Sequence, residues 1–123
     1  MRLVDTSVWV DFLRHGNDSL AKLLHAGEVA CHPFVIGELA CGNVGDRQVF
    51  LSLLSALPGL AKVDDAEALE FIEHHRLMGR GLGLIDVHLL ASCMLAGMGL
   101  WTGDKKLAQA AAQLGCDDNP GAG

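Results

Sequence analysis

Four acidic side chains stand where the surrounding sequence is apolar or small. They are Asp5 in "RLVDTSVWVDF", Glu38 in "FVIGELACG", Asp86 in "GLGLIDVHLLASCMLAG" and Asp104 in "LWTGDKKLA". A lone carboxylate in such a setting is costly in its charged form, so it protonates or finds a cation. The chain has 9 Lys and Arg against 15 Asp and Glu, and no basic residue adjoins Glu38 or Asp86. If the four acids meet in space, a hard divalent cation with oxygen ligands neutralises their repulsion. That chemistry is Mg2+ or Mn2+, not Zn2+. Such a cluster supports metal-assisted hydrolysis of phosphodiesters.

Each acid also has a plainer role open to it. Asp5 can cap a helix or serve a turn, Asp104 can cap the helix that "TGDKKL" begins, and Asp86 can cap its helix after a glycine loop. Glu38, mid-helix among apolar neighbours, is the hardest to explain structurally. Glu67, Glu70 and Glu73 fall on a solvated helix face, and Asp117 and Asp118 in the tail.

The elements that must position these residues follow from the hydrophobic spacing. Leu3–Val4 is a short buried strand, followed by a helix with Val8, Trp9, Phe12 and Leu13 on one face and Ser7 as its N-cap. Leu20, Leu23 and Leu24 mark a second helix that stops at Gly27. Glu28 to Cys31 is a second strand, and Pro33 opens a helix that carries Glu38 and ends at Gly42. Val49 to Leu57 gives a fourth helix, ended by Pro58–Gly59, and Leu60 to Val63 a third strand. Asp64 or Asp65 caps a fifth helix, a loop runs from Gly79 to Gly83, and a long apolar helix follows with Val87, Leu90, Ala91, Met94, Leu95 and Met98 at helical spacing. Gly99 to Thr102 is a fourth strand and Lys105 to Leu114 a last helix.

Short apolar strands alternating with helices predict an α/β sandwich with a parallel central sheet. Ligands in such sheets bind beyond the carboxyl ends of the strands. Asp5 follows the first strand and Asp104 the fourth, so both fall at the same edge.

A chain of 123 residues is one domain, taken here as 1–115, with 116–123 as a flexible tail. A net charge of −6 excludes a protein that holds nucleic acid by a general basic surface, although a bound divalent ion can reverse the local sign. Cys31, Cys41, Cys93 and Cys116 form no CxxC pair, and Cys41 and Cys93 read as buried thiols of a cytoplasmic protein without zinc. No signal peptide is expected. Leu84 to Leu100 is too short and too interrupted to span a membrane. His74 and His75 are expected in solvent, and Trp9 and Trp101 in the core or a dimer contact. His88 lies about 200° around the helix from Asp86 and so outside its site.

The four acidic motifs, in this order, resemble those of PIN-domain ribonucleases, specifically the VapC-type toxins of bacterial toxin–antitoxin pairs. The likeness runs from the N-terminus to about Leu114. It implies a PIN-like three-layer α/β/α sandwich with a central parallel sheet of four or five strands. The implied activity is a Mg2+- or Mn2+-dependent endoribonuclease, its metal held chiefly by Asp5 and Asp86 and its acidic pocket completed by Glu38 and Asp104. Thr6, Ser7 and Thr102 match small hydroxyl positions beside the acids, with turn or cap roles as the alternative. A homodimer and a cognate VapB-type antitoxin, whose C-terminal segment fills a groove beside the site, are also implied.

Two features depart from that pattern. "GCDDNPGAG" is too short and glycine-rich for a full fifth strand, and the acidity leaves RNA binding to a few cations. Lys105, Lys106 and Arg14 are the candidate phosphate contacts. Two other functions fit less well: a phosphatase with Asp5 as nucleophile, for which haloacid-dehalogenase-type enzymes place a second Asp where Ser7 stands, and a non-catalytic PIN-like binding module.

Overall fold

Leu3 and Val4 point to opposite faces of one strand, yet both are completely buried. Helices must therefore cover the sheet on both sides. In the computed structural model, which describes residues 1–120, that strand is β1 (Arg2–Val4). β1 is the central strand of three, pairing in parallel with β2 (Val29–Ala30) and β3 (Gly99–Trp101) in the order β2–β1–β3. Leu3 stands opposite both Ala30 and Leu100. Parallel neighbours require crossovers. From β1 to β2 the chain passes through α1 (Thr6–His15) and α2 (Asp18–His25). From β2 to β3 it passes through α3 (Pro33–Cys41), α4 (Arg47–Ala56), α5 (Asp65–His75) and α6 (Leu84–Ala96), and α7 (Lys105–Leu114) closes the fold. The expected α/β sandwich is present.

The sheet is narrower than expected. Instead of a strand, Leu60–Val63 contributes one bridge at its start, where the Cys31 N–H donates to Pro58 O (2.8 Å) and the Leu60 N–H to Cys31 O (2.9 Å). β2 cannot offer more, because His32 and Pro33 turn at once into α3. The opposite edge gains what the tail was not expected to give. The Leu100 N–H donates to Cys116 O (2.7 Å) and the Asp118 N–H to Leu100 O (2.9 Å), while the Arg2 guanidinium reaches the Asp118 carboxylate at 3.4 Å. A Cβ on Gly99 would collide with the Asp118 side chain, so glycine lets this segment lie flat on β3. Cys116 to Asp118 are thus tied down, and the end of the expected flexible tail, 121–123, lies outside the described residues.

Three local expectations change. Helix α1 begins two residues early, so Asp5 and not Ser7 is its N-cap. Cys41, at the outward end of α3, is exposed, whereas Cys93 is buried. On α6 every residue from Val87 to Cys93 is buried, His88 among them, while Met94 and Leu95 emerge into solvent.

Candidate active site

The carboxyl ends of β1 and β3 meet at Asp5. Asp5 is buried, with an exposure of 7%, and its carboxylate accepts from one backbone and two side-chain donors. The Thr6 N–H donates to Oδ1 (2.7 Å), and the hydroxyls of Thr102 (2.7 Å) and Ser7 (2.9 Å) donate to Oδ2. Each hydroxyl also accepts from the loop beyond β3: Thr102 Oγ1 from the Asp104 N–H (3.0 Å), and Ser7 Oγ from the Gly103 N–H (3.0 Å). Two adjacent strand ends are thereby stitched together around one charge. A carboxylate that accepts several such bonds is held in one orientation.

The other three acids reach this edge from separate helices. Glu38 comes from α3, and its Oε1 accepts from the Thr6 hydroxyl at 2.7 Å, which places it one residue away from Asp5. Asp86 occupies the third position of α6, where its Oδ2 accepts from the Gly83 N–H at 2.9 Å. Asp104 caps α7, accepting from the N–H groups of Lys106 (2.9 Å) and Leu107 (3.3 Å). The N-termini of α1, α6 and α7, each with partial positive charge, therefore turn toward one acidic cluster. For Asp5 and Asp104 the capping role and the site coexist in the same carboxylate.

The electrostatics tie the acids together. Burial pushes the Asp86 carboxyl above its ordinary value, the Gly83 N–H opposes this, and the charges of Asp5 and Asp104 push it further up. Among the described residues, the ion pairs are Met1 with Glu28 and Arg2 with Asp118; neither involves the four acids. The apolar contexts in sequence overstated burial, since Glu38 and Asp104 are exposed and Asp86 is partly so. Apolar neighbours along a helix face the core while the acid itself points to the rim.

Uncompensated hard oxygen donors suit Mg2+ or Mn2+. Among the described residues no three His, Cys, Asp or Glu side chains converge into a complete cage. Thr6, Ser7 and Thr102 spend their protons on the carboxylates, so they orient the acids. Asp5 Oδ1 accepts one bond and Oδ2 two, so a lone pair on Oδ1 stays open to a cation.

Of the candidate phosphate contacts, Lys106 is the best placed. A Cβ on Gly81, whose φ is +75°, would stand 2.8 Å from the Lys106 Nζ, so this side chain lies across the loop leading into Asp86. Lys105, beside Lys106, is exposed at the start of α7, and Arg14 is exposed in the last turn of α1, at the opposite end of that helix from Asp5. Sequence reasoning passed over His32. Its signal was an N-cap position directly before Pro33 at the head of the helix that carries Glu38.

Residues 2–113 match the family model described as the PIN domain. Over 116 residues, 94% of this chain and 94% of the relative, the sequence is 46% identical to Ribonuclease VapC32 of Mycobacterium tuberculosis. The fold is similar to the crystal structure of PAE2754 from Pyrobaculum aerophilum, with a TM-score of 0.64, 19% identity, and 89% of this chain and 83% of that one covered. It is equally similar to FitAB bound to an IR36 DNA fragment, with a TM-score of 0.64, 18% identity and 91% of each chain covered.

Proposed function

This chain belongs to the PIN-domain family, and on that premise we propose that it is the endoribonuclease toxin of a toxin–antitoxin pair. It hydrolyses RNA phosphodiester bonds at the edge where Asp5, Glu38, Asp86 and Asp104 gather. The carrying observation is Asp5: a buried carboxylate fixed by three donors, whose charge, with that of Asp104, adds to burial in raising the proton affinity of Asp86, while among the described residues no ion pair engages any of these acids.

Asp5 and Asp86 are the residues that would hold a Mg2+ or Mn2+ ion. When bound, such an ion supplies Lewis acidity for in-line attack of water on the phosphodiester and offsets charge on the scissile group. Asp5 presents its oxygens in a fixed orientation because Thr6, Ser7 and Thr102 hold it. Glu38 and Asp104, both solvent-facing, accept hydrogen bonds from incoming water and orient it toward the phosphorus. Lys106, over the Gly81 backbone, meets a phosphate oxygen flanking the cleaved bond, with Lys105 and Arg14 as further contacts along the strand.

The same reading includes a VapB-type antitoxin, a homodimer, a catalytic domain over 1–115 and a cytoplasmic location. Exposed Val49 and Leu53 on α4, and Leu69 and Leu95 on α5 and α6, support it by offering apolar surface that partner chains can cover. No helix among the described residues is long and apolar enough to cross a membrane.

Asp5→Asn and Asp86→Asn each lower RNA cleavage by about a hundredfold or more and abolish growth arrest on induction, while circular dichroism shows the fold intact. Excess EDTA stops the wild-type reaction and Mn2+ restores it. Cleavage that persists in EDTA or in either variant overturns the assignment.

A further inference from the structure

We propose that His32 is a positioning residue of this site, its imidazole pinning the helix that carries Glu38 to the helix that carries Asp86. The inference rests on the nuclease reading above for its consequence, and on geometry of its own for its substance. His32 is completely buried, and both ring nitrogens are bonded. Nδ1 accepts from the Phe34 N–H at 3.0 Å, which caps α3. Nε2 lies 3.0 Å from the Ser92 hydroxyl on α6. The Ser92 hydroxyl spends its single proton on Ala61 O at 2.8 Å, so it must accept from His32. The partners therefore dictate one tautomer, neutral with the proton on Nε2. A directional chain results: Phe34 N–H to His32, His32 to Ser92, Ser92 to the loop before α5.

Helix α3 packs chiefly on α1 and α4, and α6 on α5, α7 and β3. A second contact between α3 and α6 is the edge-on approach of Phe34 to His88, ring centroids 4.8 Å apart. Glu38 lies six residues along α3 from this latch and Asp86 six residues back along α6. A slip at the latch is thus carried by two short rigid rods to both acids. An imidazolium would set two N–H groups, those of Nδ1 and Phe34, against each other and release the cap. Burial, reinforced by the facing His88 and Lys62, opposes that form and pushes the His32 imidazole down to about 4.

Two substitutions separate the two nitrogens. His32→Asn places an acceptor near Nδ1 and keeps the cap but cannot reach Ser92; Ser92→Ala removes the same link from the other side. Both are expected to raise the Mn2+ concentration for half-maximal RNA cleavage by about tenfold, with kcat at saturating Mn2+ largely recovered. His32→Gln, which mimics Nε2, is expected to restore the Mn2+ dependence in part. An activity-independent measurement reads the positioning directly: nitroxides on the exposed native Cys41 of α3 and on Leu95→Cys of α6, with pulsed electron resonance giving their distance. His32→Asn broadens or shifts that distribution relative to His32. An unchanged distribution, or unchanged Mn2+ dependence in both variants when the labelled parent is active, overturns the proposal. A labelled parent that neither binds Mn2+ nor cleaves RNA overturns the nuclease reading instead, and the distance measurement still decides the role of His32.

Discussion

The surroundings of Asp86 oppose its charged form. Burial and the charges of Asp5 and Asp104 favour its protonated form, so the folded protein binds that proton more tightly than the unfolded chain does. Stability therefore falls as pH rises from the ordinary carboxylate range through the raised value of Asp86, and the loss persists at neutral pH. Asp86→Asn keeps an acceptor for the Gly83 N–H and removes the charge. Its melting temperature in EDTA at pH 7 is expected to exceed that of the wild type, with the difference shrinking toward pH 4. Adding Mn2+ then raises the wild type, by about 2.7 kcal/mol at a hundred times the dissociation constant, and leaves the variant nearly unmoved. A variant that melts below the wild type in EDTA contradicts this account. At this scale the sequence was readable in kind and misleading in degree. Four acids in apolar runs do mark one edge, but linear neighbours along α3 and α7 face other ways, so Glu38 and Asp104 are exposed. His32 went unread because a capping histidine gains its meaning from Ser92, sixty positions away.

Among the elements, α5 has the best-built start and the most strained end. Asp64 and Glu67 form a reciprocal capping box, with bonds of 2.7 and 3.0 Å. The C-cap, Arg76, sits in the left-handed region at φ 54°, a conformation that costs a side-chain-bearing residue about 1 kcal/mol relative to glycine. Arg76→Gly is expected to raise the midpoint of urea unfolding by an amount equivalent to about 0.5–1 kcal/mol, with the slope unchanged. A lower midpoint means that the guanidinium makes a compensating contact. Helices were legible because their periodicity, caps and glycine stops are local, as at Gly27 and Gly42. Three of the four expected strands also form, although three residues or fewer carry no period of their own. Leu60–Val63 has the composition of a strand and lacks only a partner, because β2 ends after two residues.

On the scale of the whole molecule, the parallel order β2–β1–β3 brings Asp5 and Thr102 side by side and turns three helix N-termini toward the same edge. That arrangement followed from the alternation of elements, and the resemblance supplied its chemistry. What alternation could not foretell is how so narrow a sheet is finished. One rung at Gly59 lies beside β2, and another at Asp117 lies beside β3.

Those single rungs guard against self-recruitment. A parallel strand with bare N–H and C=O groups is a template for any extended segment of another copy. A chain cut after Gly115 leaves both backbone groups of Leu100 unpaired, deprives Arg2 of Asp118 and removes the buried Cys116 from the edge of the core. Such a chain is expected to scatter light and bind amyloid dyes at concentrations where the intact protein stays clear; a clear, monodisperse solution contradicts this. Cys116 to Asp118, which carry no catalytic group, are then what lets a protein with so short a sheet accumulate without polymerising.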